Sequence, residues 1–293
     1  MTGGNLMIDN ESIIDHIDEN RSKYLSLLKD LVSIDDRNEI NVQNIVANKF
    51  KELNCEVDTI VKNPVNLKLD QEYASESSIR VTERISVVGK YRGTGGGRSM
   101  LFFAHPDNEP IRNTDAWIHD PFSGEVENGK MYGWGIADDL VGVAIMTGAL
   151  DAVNKIGIEL RGDVLLCSTA SKKNARGIIA VLDRGHHADA AIYLHPAESG
   201  IGHGEIKAFA SGMIKFKLVV KGKIPETTEP GHTSFAHLGI NPITKAMQII
   251  DSLLELDKKR GDRVKHDLLE KIVGRSTNLV ISSITCGNPD HPT

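Results

Sequence analysis

At 293 residues, 40% of them hydrophobic, the chain carries ample apolar material for one large or two ordinary domains. A formal net charge of -6 with both signs interspersed excludes a nucleic-acid surface, which would need a basic stripe. The opening Met1-Thr-Gly-Gly-Asn-Leu-Met7 has neither a basic region nor an apolar segment, so no secretion signal or membrane span is expected and a cytoplasmic protein is.

In chain order, apolar residues recur at helical spacing over residues 11–32, with Asn10 placed to cap, and again over 42–53, where Asn54 can end the helix. A strand at 55–61 follows, then a polar, aperiodic excursion over 62–83. Strands at 85–91 and 99–104 flank Gly93-Thr-Gly-Gly-Gly97. That cluster lacks the Gly-Lys-Ser/Thr ending and following helix of a phosphate loop, and reads as a hairpin turn. Helices at 141–154 and 175–183 alternate with strands at 163–169 and 189–194. Each strand is an unbroken apolar run, which predicts an α/β fold whose sheet is covered on both faces by helices.

The pattern changes near Ser211. Ile214, Phe216, Leu218 and Val220 alternate with lysines, as in a strand with one wet face, and a second domain is expected over 211–293 after a first over 1–210. Within it, Asn241 as N-cap and Pro242 at the first turn open a helix to residue 260 with Gly261 beyond its end, and 279–285 reads as another strand. Cys55, Cys167 and Cys286 are far apart and odd in number, so they read as buried thiols of a reducing compartment.

The chemistry concentrates around Ala104-His105-Pro106-Asp107 and Met131-Tyr-Gly-Trp-Gly-Ile-Ala-Asp138-Asp139. A strand end two residues apart presents one imidazole and one carboxylate on the same side, and Asp138 follows a Gly-Trp-Gly turn at the mouth of a helix. This is the layout of a metal or anion site.

These motifs, with Trp117-Ile-His-Asp-Pro121-Phe122 between them, resemble the zinc amidohydrolases that include acetylornithine deacetylase, succinyl-diaminopimelate desuccinylase, aminoacylase and carboxypeptidase G. The resemblance runs from about residue 25 to the last residue. It implies a three-layer α/β/α catalytic domain with an inserted α+β lid and dimerisation domain, hence a homodimer. It also implies a metal-binding His105, an orienting Asp107 and a metal-binding Asp138. Gly231-His232 through Gly239-Ile-Asn241 is similar to the family's lid signature, which makes His232 a candidate to polarise the scissile carbonyl.

The chain departs from the family at two places. The Glu-Glu pair that supplies the general base and a second-metal ligand is replaced by Lys172-Lys173, and the usual metal-binding Glu by His195. Imidazole is a good zinc ligand, so His105, Asp138 and His195 form a three-donor set for one Zn2+, with Co2+ or Mn2+ as alternatives; lysines at the Glu pair disfavour a second ion. Glu198 is the candidate replacement base. The family's closing segment of the catalytic domain is missing, and a shortened or fragmentary product is expected. The expected activity is metal-dependent cleavage of an amide in an N-acyl amino acid or small peptide; the alternative is a truncated, non-catalytic relative that binds a small ligand or a homologous partner.

Overall fold

The computed structural model describes residues 10–34, 39–63, 66–67, 83–107, 111–170, 175–196, 204–208 and 212–286. The chain divides into two compact units, Met1–Lys215 and Phe216–Thr293. The first contains, in order, α1 (Asn10–Glu19), α2 (Arg21–Val32), α3 (Glu39–Glu52), β1 (Glu56–Lys62), β2 (Arg84–Tyr91), β3 (Met100–Ala104), β4 (Glu125–Glu127), β5 (Lys130–Tyr132), α4 (Val141–Lys155), β6 (Val164–Ser168), α5 (Arg176–Asp183) and β7 (Ala190–Tyr193). The second contains α6 (Pro242–Arg263) and α7 (Asp267–Val273).

Five strands form one sheet in the order β1-β2-β6-β3-β7, while β4 and β5 pair as a separate hairpin. β2 is antiparallel to β1 and β6, whereas β3 runs parallel to both β6 and β7. Successive residues of a strand point to opposite faces, and the core divides accordingly. Val87 and Leu166 pack with Leu31, Val46, Phe50 and Met146 of α2, α3 and α4; Val88, Leu165 and Cys167 pack with Ala180 and Val181 of α5. Helices therefore cover both faces, the three-layer arrangement expected. Each fully buried large side chain such as Phe50 contributes about 1.5–3 kcal/mol. Gln43 of α3 is also buried, and its amide donates to the carbonyls of Ile85 (2.8 Å) and Ser168 (3.1 Å), tying the helix to two neighbouring strands.

Several expectations are corrected. The Gly93–Gly97 cluster is not a hairpin: β6 lies between β2 and β3. The glycines instead permit close passage over the approach to β6, since a Cβ on Gly97 would sit 2.5 Å from the Gly162 nitrogen. The helix expected over 11–32 is broken at Asn20, whose side-chain amide donates to the His16 carbonyl at 2.9 Å. α6 continues through Gly261 to Arg263, because the absent side chain leaves room for the Arg275 guanidinium, 2.6 Å from where a Cβ would stand. Its start is as expected, with the Asn241 side chain accepting from Ile243 N at 2.8 Å. Asn54, in the left-handed region at φ 60, ends α3.

The strands expected at 214–220 and 279–285 carry no regular secondary structure; the isolated bridge among the described residues of this region joins Lys223 to Ile240. Alternation supplies a face but not a hydrogen-bonding neighbour, and Ile214, Phe216 and Leu218 are exposed. Of the three thiols, Cys55 and Cys167 are buried as expected and Cys286 is exposed.

Candidate metal centre

β3 and β7 both leave the sheet at the same rim, because they run parallel, and each is followed by a histidine: His105 after Ala104 and His195 two residues after Tyr193. The third group comes from the turn that leads into α4. Trp134 N donates to the Pro121 carbonyl at 2.7 Å, and Gly135 turns the chain at φ 75 into a π-type turn over Ile136–Leu140 that runs into α4. Asp138 and Asp139 lie in that turn with extended φ values of -135 and -145 and a cis peptide between them.

Asp138 Oδ1 stands 3.1 Å from His105 Nε2 and 3.0 Å from His195 Nε2, and one donor atom from each of the three residues lies within 4.8 Å of the others. The other nitrogen of each ring is engaged in the same way. His105 Nδ1 is 2.9 Å from the Asp107 main-chain oxygen, and His195 Nδ1 is 2.9 Å from that of Pro196. A carbonyl oxygen only accepts, so both Nδ1 atoms carry hydrogen and both rings turn Nε2 towards one carboxylate oxygen. Two imidazole nitrogens facing one carboxylate call for a positive charge among them. A tetrahedral zinc with bonds of about 2.0–2.1 Å needs donors about 3.3 Å apart, close to the two separations from Asp138. The donor set fits a divalent ion of this kind. His105 is buried while Asp138 is half-exposed, so the site is anchored on one side and open to solvent on the other.

Asp107 holds His105 through its main-chain carbonyl, its carboxylate Oδ1 standing farther off at 3.7 Å from Nδ1. The carboxylate also meets the buried Arg84 guanidinium at 3.6 Å. Burial pulls the Arg84 pKa down, against the opposing charge of Asp107. Sequence reasoning missed Arg84, for nothing in Glu83-Arg84-Ile85 marks it as buried at the head of a strand. It placed Asp139 in the motif without a role; Asp139 is wholly buried, and its Oδ2 accepts from His105 N at 3.3 Å. Tyr193 flanks the site, stacked on Phe103 with centroids 4.7 Å apart and tilted against His195 at 5.2 Å.

Glu198, Lys172 and Lys173 lie outside the described residues. His232 belongs to the second unit, where its Nδ1 accepts from Ser234 N at 3.2 Å and caps the short helix Thr233–Leu238. His186 bonds Asp58 at 2.9 Å; that bond, followed by the contact with Arg184, holds the Asp58 carboxyl below its ordinary range.

A three-layer α/β body with a histidine and carboxylate cluster at the rim of its parallel strands has the layout of a metallohydrolase. Comparison with known proteins gives the particular family. The sequence model of Peptidase family M20/M25/M40 matches residues 101–265, more than half of the chain, and the chain belongs to that family. It is 29% identical over 200 residues to a succinyl-diaminopimelate desuccinylase of Methylobacterium radiotolerans, covering 66% of this chain and 47% of the relative. It is 27% identical over 251 residues to an N-formyl-4-amino-5-aminomethyl-2-methylpyrimidine deformylase of Bacillus subtilis, covering 83% and 54%. The chain thus spans about half the length of these relatives. Among solved structures, human carnosine dipeptidase 1 shares the fold, with a TM-score of 0.50 at 16% identity over 63% of this chain and 41% of that one.

Proposed function

We propose that the chain is a metal-dependent hydrolase that cleaves the amide bond of an N-acyl amino acid or small peptide, with one divalent ion, zinc in the first instance and Co2+ or Mn2+ as alternatives, at His105, Asp138 and His195. The observation that carries this reading is the turning of both Nε2 atoms onto Asp138 Oδ1 at 3.0 and 3.1 Å. Two relatives named for removing a succinyl and a formyl group support an N-acyl substrate. A bound zinc ion would supply a water acidified to a pKa of about 7 and polarisation of the scissile carbonyl. The chain's own groups do the rest. Asp107 and Pro196 carbonyls fix the tautomers of the two imidazoles, and the half-exposed Asp138 leaves an approach for the amide. Glu198 is assigned the proton of the attacking water by its place three residues beyond His195, and His232, reaching from a second copy, the developing charge on the carbonyl oxygen by family resemblance.

The test is metal analysis of the purified protein together with amine release from N-succinyl, N-formyl and N-acetyl amino acids and dipeptides. About one equivalent of metal is expected, with amine release that a chelator abolishes and zinc restores. No metal uptake refutes the site. Bound metal without amine release favours the second reading, a non-catalytic binding relative, for which the observation is Lys172-Lys173 in place of the family's Glu pair.

The proposal also includes a cytoplasmic homodimer. No helix among the described residues is long and apolar enough to cross a membrane. α6 exposes Ile243, Met247 and Leu254 along one side, an apolar stripe suited to a second copy. A sedimentation coefficient of the monomer at micromolar concentration refutes the dimer.

A further inference from the structure

Gly142 is the second residue of α4 and is buried. A Cβ at this position would lie 2.3 Å from the Leu194 carbonyl oxygen, 2.7 Å from Asp139 Oδ1 and 2.9 Å from Ala104 Cβ. Those three residues are the chain neighbours of the three donors: Ala104 precedes His105, Asp139 follows Asp138, and Leu194 precedes His195. One glycine is therefore pressed against a chain neighbour of each of the three donors, through the Leu194 main chain and the Asp139 and Ala104 side chains. We infer that Gly142, with the Asp139 carboxylate beside it, is the positioning element that sets the spacing of the His105, Asp138 and His195 donors; this rests on the reading of those three as a metal site.

The physical argument is one of distance. To accept a methyl group at Gly142, the Leu194 oxygen must retreat from 2.3 Å to an ordinary contact of 3.4 Å or more. Leu194 is held to β3 by its N–H, which donates to the Phe103 carbonyl at 2.9 Å, so the displacement strains the end of β7 and passes to His195, the next residue. On the other side the Asp139 carboxylate fills the gap between α4 and β3, accepting from His105 N at 3.3 Å. Glycine is otherwise a poor choice here, since alanine has the higher helix propensity. A Gly142→Ala helix would be more stable in isolation, and a loss at the site is then attributable to the displaced supports.

The experiment compares Gly142→Ala with Gly148→Ala, a control in the same helix whose new Cβ would meet the Tyr24 ring at 3.1 Å. Two readouts are used: zinc affinity by competition with a chromophoric chelator, and, in the metal-free protein, ring-to-ring NOEs between His105 and His195, whose centroids lie 6.0 Å apart. Gly142→Ala is expected to lose about 10–100-fold in zinc affinity, as outer-shell supports of metal ligands do, and to lose the NOEs. Gly148→Ala is expected to change none of these. Gly142→Ala with unaltered affinity and retained NOEs overturns the inference. If that variant does not fold, Asp139→Ala decides in its place: loss of the NOEs supports the inference and retention overturns it. A wild-type protein that binds no zinc counts against the metal reading, while the NOEs still judge the spacing.

Discussion

His195→Ala is the substitution that isolates the metal site from the fold. His105 is buried and its truncation would also open a cavity, whereas the His195 side chain is 21% exposed at the end of an edge strand and its loss costs the metal-free fold about 1 kcal/mol or less. A ligand that binds only the native state at one hundred times its Kd stabilises that state by about 2.7 kcal/mol. For a unit the size of Met1–Lys215, about 2–4 °C per kcal/mol makes this a rise in Tm of about 5–10 °C on adding zinc. Outer-shell supports alone change metal affinity about 10–100-fold, so loss of a direct donor costs at least the upper figure. At the same zinc concentration the variant then sits near its own Kd, and the gain shrinks to about 0.4 kcal/mol, or about 1–2 °C. The assay is thermal unfolding by circular dichroism in zinc-buffered and chelator-containing solutions. A variant that keeps the full zinc-dependent rise would refute the assignment of His195 as a donor.

Gln43→Met is expected to lower stability by about 2 kcal/mol, about 1 for each lost bond to the carbonyls of Ile85 and Ser168, measured by urea unfolding; an unchanged midpoint would mean those bonds contribute nothing net. Burial pushes the Cys55 thiol up to about 11 and that of Cys167 up to about 12, and Cys286 is exposed. One fast-reacting thiol is therefore expected with a disulfide reagent at pH about 8, and all three in denaturant. The same shifts set a sign: both thiols titrate higher in the folded chain than at the ordinary 9.0, so the stability they confer is intact below that pH and declines as pH rises through 11 and 12. Each contributes a slope of about 1.4 kcal/mol per pH unit, and Cys167→Ala should flatten the alkaline limb of a pH–stability curve.

Much of the first unit was legible because its strands and helices are set by local pattern. A short apolar run such as Val164-Leu-Leu-Cys167 reads as a strand covered on both faces, and Asn54, Asn241 and Pro242 mark helix ends by their own chemistry. The order of strands was not, because β2 and β3 are separated by a strand that the chain reaches some sixty residues later in the register of Met100 with Val164. Likewise 214–220 alternates like a strand, but alternation says nothing of a pairing partner. At the site, His105, Asp138 and His195 were readable as residue types at the ends of predicted elements. Arg84, Asp139 and Gly142 act through burial and close approach across long stretches of sequence, and no local signal carries that.

The parallel run of β6, β3 and β7 has a consequence for how this chain can change. Their exits share one rim, so residues immediately after them face a common space while contributing little to the ladder itself. A change of side chain at such a position, His105 after β3 or His195 after β7, alters what that space attracts without touching the apolar layers beneath. A scaffold of this build can drift between ions, reactions or mere capture of a ligand by exchanging a handful of terminal side chains, with its folding left essentially as it was.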